Sequence, residues 1–213
     1  MKNILKLCLL LLISTDIYAQ IDMTLGMGLD FNNVSSYRDY VNENFAPPDN
    51  QVSTFKSSVM FFSEADFQLY DKFQAGVEYN LLLDSYNTPV GAGGIYEISY
   101  ILHRPAIICY YVLSGEGYKF KFGGGVGPRF AVLNEKIYYS SSYSSAGIGF
   151  LLKAEGHTAL SSNFFAVIGI DLRYDLAGEP SNRNGKIYNN VSNENMNLNS
   201  LSVGLKLGIS FTL

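Results

Sequence analysis

Twelve charged side chains carry most of the chemistry this sequence offers: Glu64, Asp66, Glu78, Glu97, Lys119, Lys121, Arg129, Lys153, Glu155, Asp171, Arg173 and Lys206. They fall in stretches where apolar residues alternate with polar or small ones, and period two places each set on one face of a strand. Acids dominate the earlier stretches and bases the later ones. A closed sheet would therefore set opposite charges across a narrow interior. Isolated charges there are expensive, whereas paired and hydrogen-bonded ones are tolerated. The expected arrangement is a salt-bridged polar plug; a gated pore or a lumen ligand site requires that plug to rearrange.

Acyl-transfer or hydrolytic chemistry would have to use His103 or His157. Strand parity puts His103 on the face of Ser99 and Glu97, but a working nucleophile needs its base in hydrogen-bond reach and a third group orienting that base. Spacing of two along a strand is too loose for this, so both histidines are read as structural and no catalytic residue is assigned. The run Gly123 to Gly127 lacks the Gly-Lys-Ser/Thr ending and following helix of a phosphate loop; inward glycines make room for large neighbours instead. Cys109 alone survives removal of the N-terminal segment that holds Cys8, and no Cys/His spacing suggests zinc. Neither a cofactor nor a metal is expected.

Eight alternating stretches must position these groups. The first, about Ile21 to Phe31, sets Met23, Leu25, Met27 and Leu29 against Asp22, Thr24, Gly26, Gly28 and Asp30. The next run about 59–69, 73–81, 94–113, 118–132, 147–158, 164–174 and 198–213. In the fourth, Glu97, Ser99 and His103 are placed inward, opposite Tyr96, Ile98, Tyr100 and Leu102, with a bulge expected at His103 to Pro105 because a closed sheet has no free edge for a proline. Connectors alternate: short at 70–72, 114–117 and 161–163, long near 32–57, 84–93, 134–146 and 175–197. This pattern predicts an all-β fold, an eight-stranded antiparallel transmembrane β-barrel with periplasmic termini, short periplasmic turns and long extracellular loops. Phe67, Phe73, Tyr118, Phe164 and Phe211 fall near the inner interface, and Phe31, Tyr79, Tyr96, Phe130 and Tyr174 near the outer one, as aromatic belts require. Tyr37, Tyr40 and Phe45 in the first loop and Tyr138-Tyr139 in the third read as contact surface; the Asn-rich fourth loop reads as solvated or recognising.

Lys2 and Lys6, the apolar run Leu7 to Ile13 and Ile17-Tyr18-Ala19 read as a secretory signal peptide over 1–19, leaving a barrel domain over 20–213. Its removal leaves 13 basic and 18 acidic residues, a net charge of -5 that argues against a nucleic-acid partner. Leu201 to Leu213 alternates to the end and looks like the terminal strand recognised by the barrel assembly machinery, with Leu213 where phenylalanine is more usual.

With that strand, the signal peptide, His103-Arg104-Pro105-Ala106 and Gly123-Gly124-Gly125-Val126-Gly127, the chain resembles the small outer-membrane β-barrel families of Gram-negative bacteria, including the PorT-like proteins. The resemblance implies an outer-membrane barrel; the PorT-like likeness implies a role in secretion. The expected function is a non-enzymatic integral barrel with a structural or surface-interaction role, alone or as a subunit of an envelope complex. A narrow channel or a lipid-modifying barrel enzyme is the alternative, and a soluble lipocalin-like barrel a third reading. The expected partners are outer-membrane lipids, the assembly machinery during biogenesis and an envelope protein.

Overall fold

The computed structural model describes residues 20–90 and 94–213, so the signal segment and its cleavage after Ala19 lie outside the described residues. The chain runs β1 (Ile21–Asn33), α1 (Ser35–Asn44), β2 (Lys56–Tyr70), β3 (Phe73–Val90), β4 (Gly94–Gly115), β5 (Tyr118–Lys136), β6 (Ser140–Ala159) and β7 (Phe164–Leu176). Four two-residue strands follow, β8 (Ser181–Asn182), β9 (Gly185–Lys186), β10 (Tyr188–Asn189) and β11 (Glu194–Asn195), before β12 (Ser200–Thr212). Each long strand pairs antiparallel with its neighbour in sequence, and β12 pairs with both β7 and β1 to close the ring. This is an eight-stranded antiparallel transmembrane barrel. No described helix is long and apolar enough to cross a membrane.

Alternation does the sorting. Met23, Leu25, Phe61, Val77, Ile107, Phe122, Leu152, Ile170 and Leu207 point out and stay exposed, while the intervening positions are buried in the interior. An unbroken apolar outer wall is stable against lipid chains, and closure leaves no backbone edge unpaired. The tight turns hold at one end: Asp71-Lys72 joins β2 to β3, and Gly117, at φ +76°, turns β4 into β5 where a side chain would be strained.

At the other end the first and fourth connectors are long as expected, whereas the second and third are shorter than the spacing suggests. β3 and β4 run on to Val90 and Gly94, and β5 and β6 to Lys136 and Ser140, so only Ile137–Tyr139 separates the second pair. With 18 to 22 residues each against 13 in β1, β7 and β12, these four strands exceed the roughly 10 residues that cross a membrane. They project beyond the lipid belt as a paired sheet. The serine and tyrosine residues at 140–145 pair as strand, so their polarity marked exposure to water, not a loop.

No bulge forms at Pro105. The pairing of β4 with β3 keeps one register from Phe73↔Tyr111 to Val90↔Gly94, and on the β5 side His103↔Phe130 and Ile107↔Val126 share a register across an interrupted ladder. That register sets Pro105 opposite Pro128. Two missing N–H groups free carbonyls instead of shifting the chain, and the Arg129 guanidinium donates to Pro105 O (3.2 Å), Gly127 O (3.2 Å) and Pro128 O (3.0 Å). The register does shift between Gln68 and Tyr70, at the periplasmic end of β2.

Candidate functional site

The interior is the chemically richest part of the molecule, and it is layered along the barrel axis. Nearest the short turns, Lys119 donates to Asp22 (2.9 Å), and Lys121 meets Asp66 and lies 3.8 Å from Asp22. In the middle, the Glu78 carboxylate, fully buried, takes Lys153 (2.6 Å), Lys206 (2.8 Å) and Arg173 (2.5 Å) at once. Asp171 pairs with Arg173 and Lys206 at 2.7 Å each. Glu64 meets Lys153 and accepts from the Tyr110 hydroxyl (2.6 Å), while Glu155 lies 3.0 Å from Lys153 and 3.3 Å from His157 Nε2. Above them Asp175 sits between Arg104 (2.9 Å) and Arg129 (2.5 Å), and Arg104 also meets Asp30.

Eleven of the twelve residues singled out in the sequence thus share this lumen: Glu64, Asp66, Glu78, Lys119, Lys121, Arg129, Lys153, Glu155, Asp171, Arg173 and Lys206. Glu97 does not join them. It points outward with its side chain 49% exposed, 3.3 Å from Lys136. Assigning polar residues inward inverted the whole of β4, because its lumen face is Tyr96, Ile98, Tyr100, Leu102, Arg104, Ala106, Ile108 and Tyr110. Four network members escape the sequence reading. Alternation places Asp22 and Asp30 inward without joining them to the charges, Arg104 falls in the expected bulge, and Asp175 lies one residue past the expected end of β7.

The inverted parity has a cause in the fold. Over the arginine layer lies an apolar cluster, with the Lys56–Asp84 pair (2.7 Å) beside it: Tyr96, Ile98, Tyr100 and Leu102 of β4 and Ala131 and Leu133 of β5 pack with Tyr37, Tyr40 and Val41 of α1 and with Ile187, Met196 and Leu198 of the last connector. Positions 37, 40 and 41 share one helix face, and a ten-residue helix depends on such packing for its stability. Tyr37 sets its edge against Tyr100 at 5.6 Å and Phe45 stacks on Tyr96 at 3.8 Å. Glu135 Oε1 accepts from both Tyr40 (2.6 Å) and Tyr96 (2.9 Å), fastening α1 to the barrel rim. Burial, then the hydrogen bond to Glu135 and its negative charge, raise the Tyr40 hydroxyl above the ordinary tyrosine range. The first-loop tyrosines expected as contact surface are therefore the stopper of the barrel. The last connector closes over them through Asn189, which bonds Asn44 (3.0 Å) and Glu43 (2.7 Å).

Neither histidine assembles a triad. His103 faces outward, its Nδ1 sharing a 2.5 Å hydrogen bond with the Tyr79 hydroxyl on the lipid-facing wall. His157 lies in the lumen beside Glu155. Inward Gly123 leaves room for the Tyr110 ring, as a side chain there would collide with it.

Eight strands in closed order, an apolar outer wall and a filled polar lumen settle the architecture. The fold is that of the outer-membrane β-barrels. Solved structures agree: the chain is similar to Ail, the attachment invasion locus protein of Yersinia pestis, in complex with the heparin analogue sucrose octasulfate, at TM-score 0.56 and 10% identity over 92% of this chain and 100% of that one. A major outer membrane protein from Thermus thermophilus matches at 0.54 and 12%, over 91% and 99%. Neisserial surface protein A matches at 0.52 and 13%, over 90% and 96%. At such identities the likeness is one of fold. No family model and no curated protein matches the sequence.

Proposed function

We propose that this chain is a non-enzymatic, non-conducting barrel of the outer membrane whose work is done by its extracellular crown. The double closure of the lumen carries this reading. Among the described residues, each lumen carboxylate has a cationic partner, and an apolar stopper lies in series with that network. An ion in transit would have to break buried pairs and then pass a packed apolar cluster, each step costing several kcal/mol. Above the closure, the β5–β6 hairpin presents Tyr138 and Tyr139, 84% and 88% exposed, on a rigid stem. Exposed tyrosine flanked by serine is the composition of adaptable contact surfaces.

Planar-bilayer recording of the refolded mature chain tests closure: silence is expected, and discrete single-channel steps would return the narrow channel as the reading. Purification from its own outer membrane in mild detergent tests the crown. A stoichiometric envelope partner, lost when 137–139 are replaced by glycine and serine, is the expected result, and it would make the chain a subunit of an envelope complex. Recovery of the barrel alone would leave only a structural role.

A further inference from the structure

At the opposite, periplasmic mouth lies a polar recess of about 440 Å³ between the ends of β2, β3, β4 and β5. Gln20, Gln68, Asp71, Gln74, Ser114 and Lys119 supply its polar walls, and Tyr70, 75% exposed, stands at the rim. The register shift between Gln68 and Tyr70 displaces the end of β2 and helps to shape it. Gln74 is 2% exposed, and its Nε2 donates to Asp22 (3.1 Å) and Gln68 Oε1 (2.9 Å). Its own Oε1 has no partner. A buried amide oxygen in this state, on a side chain that lines the recess, is left for a donor from water or from a ligand.

The chemistry of that donor is constrained. Lys119 already gives its N–H groups to both oxygens of Asp22 (2.9 and 3.2 Å) and to Thr212 Oγ1 (3.3 Å), so the recess offers no free cation to an anion. It offers amide and hydroxyl groups, the Asp71 carboxylate and an aromatic face, which suit a ligand that carries no negative charge and brings N–H and hydroxyl donors and one apolar face. Sugars bearing N-acetyl groups have that combination, and the periplasm beneath an outer membrane holds a wall polymer built from them. We propose that the periplasmic mouth binds a neutral N-acetylated sugar unit of a glycan. This site is independent of the extracellular crown and rests on the barrel's orientation, short turns inward.

The test uses the mature chain refolded in nanodiscs with isotope-labelled glutamine, titrated with the β-1,4-linked trimer of N-acetylglucosamine. Saturable shifts of the Gln74 and Gln68 side-chain amide signals are expected, with binding at least about tenfold weaker in Gln74→Ala and in Tyr70→Ala, the size of change one lost hydrogen bond or stacking contact produces. Tyr70 is exposed at the rim, so its variant reports on binding even if Gln74→Ala, which also loses its bond to Asp22, folds poorly. Absence of saturable shifts up to about 10 mM, beyond the weakest specific range, overturns the proposal. So does binding that neither variant weakens. Co-sedimentation with purified cell-wall sacculi would identify the polymer as the source; trimer binding without co-sedimentation would identify free wall fragments.

Discussion

Glu78 is the residue on which the lumen converges. Three cations share its carboxylate in a space closed to water, so neutralising it leaves positive charges buried without their partner. Glu78→Gln is expected to destabilise the barrel by roughly 3–5 kcal/mol, measured by urea unfolding in lipid vesicles with the heat-modifiable gel shift as readout. Glu97→Gln, in the same number of atoms, is expected to change stability by no more than about 0.5 kcal/mol, because an exposed pair on the projecting sheet is screened by water. Equal effects would mean that the lumen pairs are hydrated and weak. Both acids sit in alternating stretches, and the sequence could not rank them. What separates them is the parity of β4, where apolar residues occupy both faces between Ile107 and Val112 and polarity gives no guide.

At the scale of elements, α1 and the β4–β5 seam show how local chemistry is completed by neighbours. The Tyr40 hydroxyl stays protonated in the folded crown above the pH at which a free tyrosine ionises. With a folded value raised above the unfolded one, its contribution to docking is complete below about pH 10 and declines as pH rises beyond it. Hydrogen exchange of the α1 amides should therefore accelerate above about pH 10, and Tyr40→Phe should remove part of that dependence while weakening docking by about 1 kcal/mol. No difference between the two proteins would show that Tyr96 or other groups govern the transition. In the seam, Arg129 supplies donors to carbonyls that Pro105 and Pro128 leave unpaired. Arg129→Met should raise exchange at Ala106 and Gly127 selectively and lower global stability by more than about 2 kcal/mol, since buried acceptors and Asp175 lose a charged partner. Pro105 was legible, and a bulge was the local solution; the fold instead uses an arginine on the paired strand β5, next to Pro128.

For the whole molecule, two barriers in series predict that removing one does not open the barrel. Replacing 34–55 with a short linker should leave a heat-modifiable barrel that stays silent in planar bilayers, since the ion pairs below the stopper remain; currents in this variant alone would make α1 the gate. Strand number, closure, the outer wall and seven of the eight lumen faces were determined by sequence alone, because a barrel exposes one face to lipid and period two records that exposure directly. The tertiary structure decided the rest. Whether a polar residue belongs inside depends on what shares the interior at its level. There, a helix from the first connector adds an apolar cluster at the extracellular end of the lumen, beside the Lys56–Asp84 pair, while charges from all eight strands make the layers below it ionic. Contacts such as Lys121 with Asp66, 55 residues apart, and Lys206 with Glu78, 128 apart, leave no period in the chain. Pairing partners, the inward turn of Tyr96 and Tyr100 and the stopper itself therefore emerge only on closure.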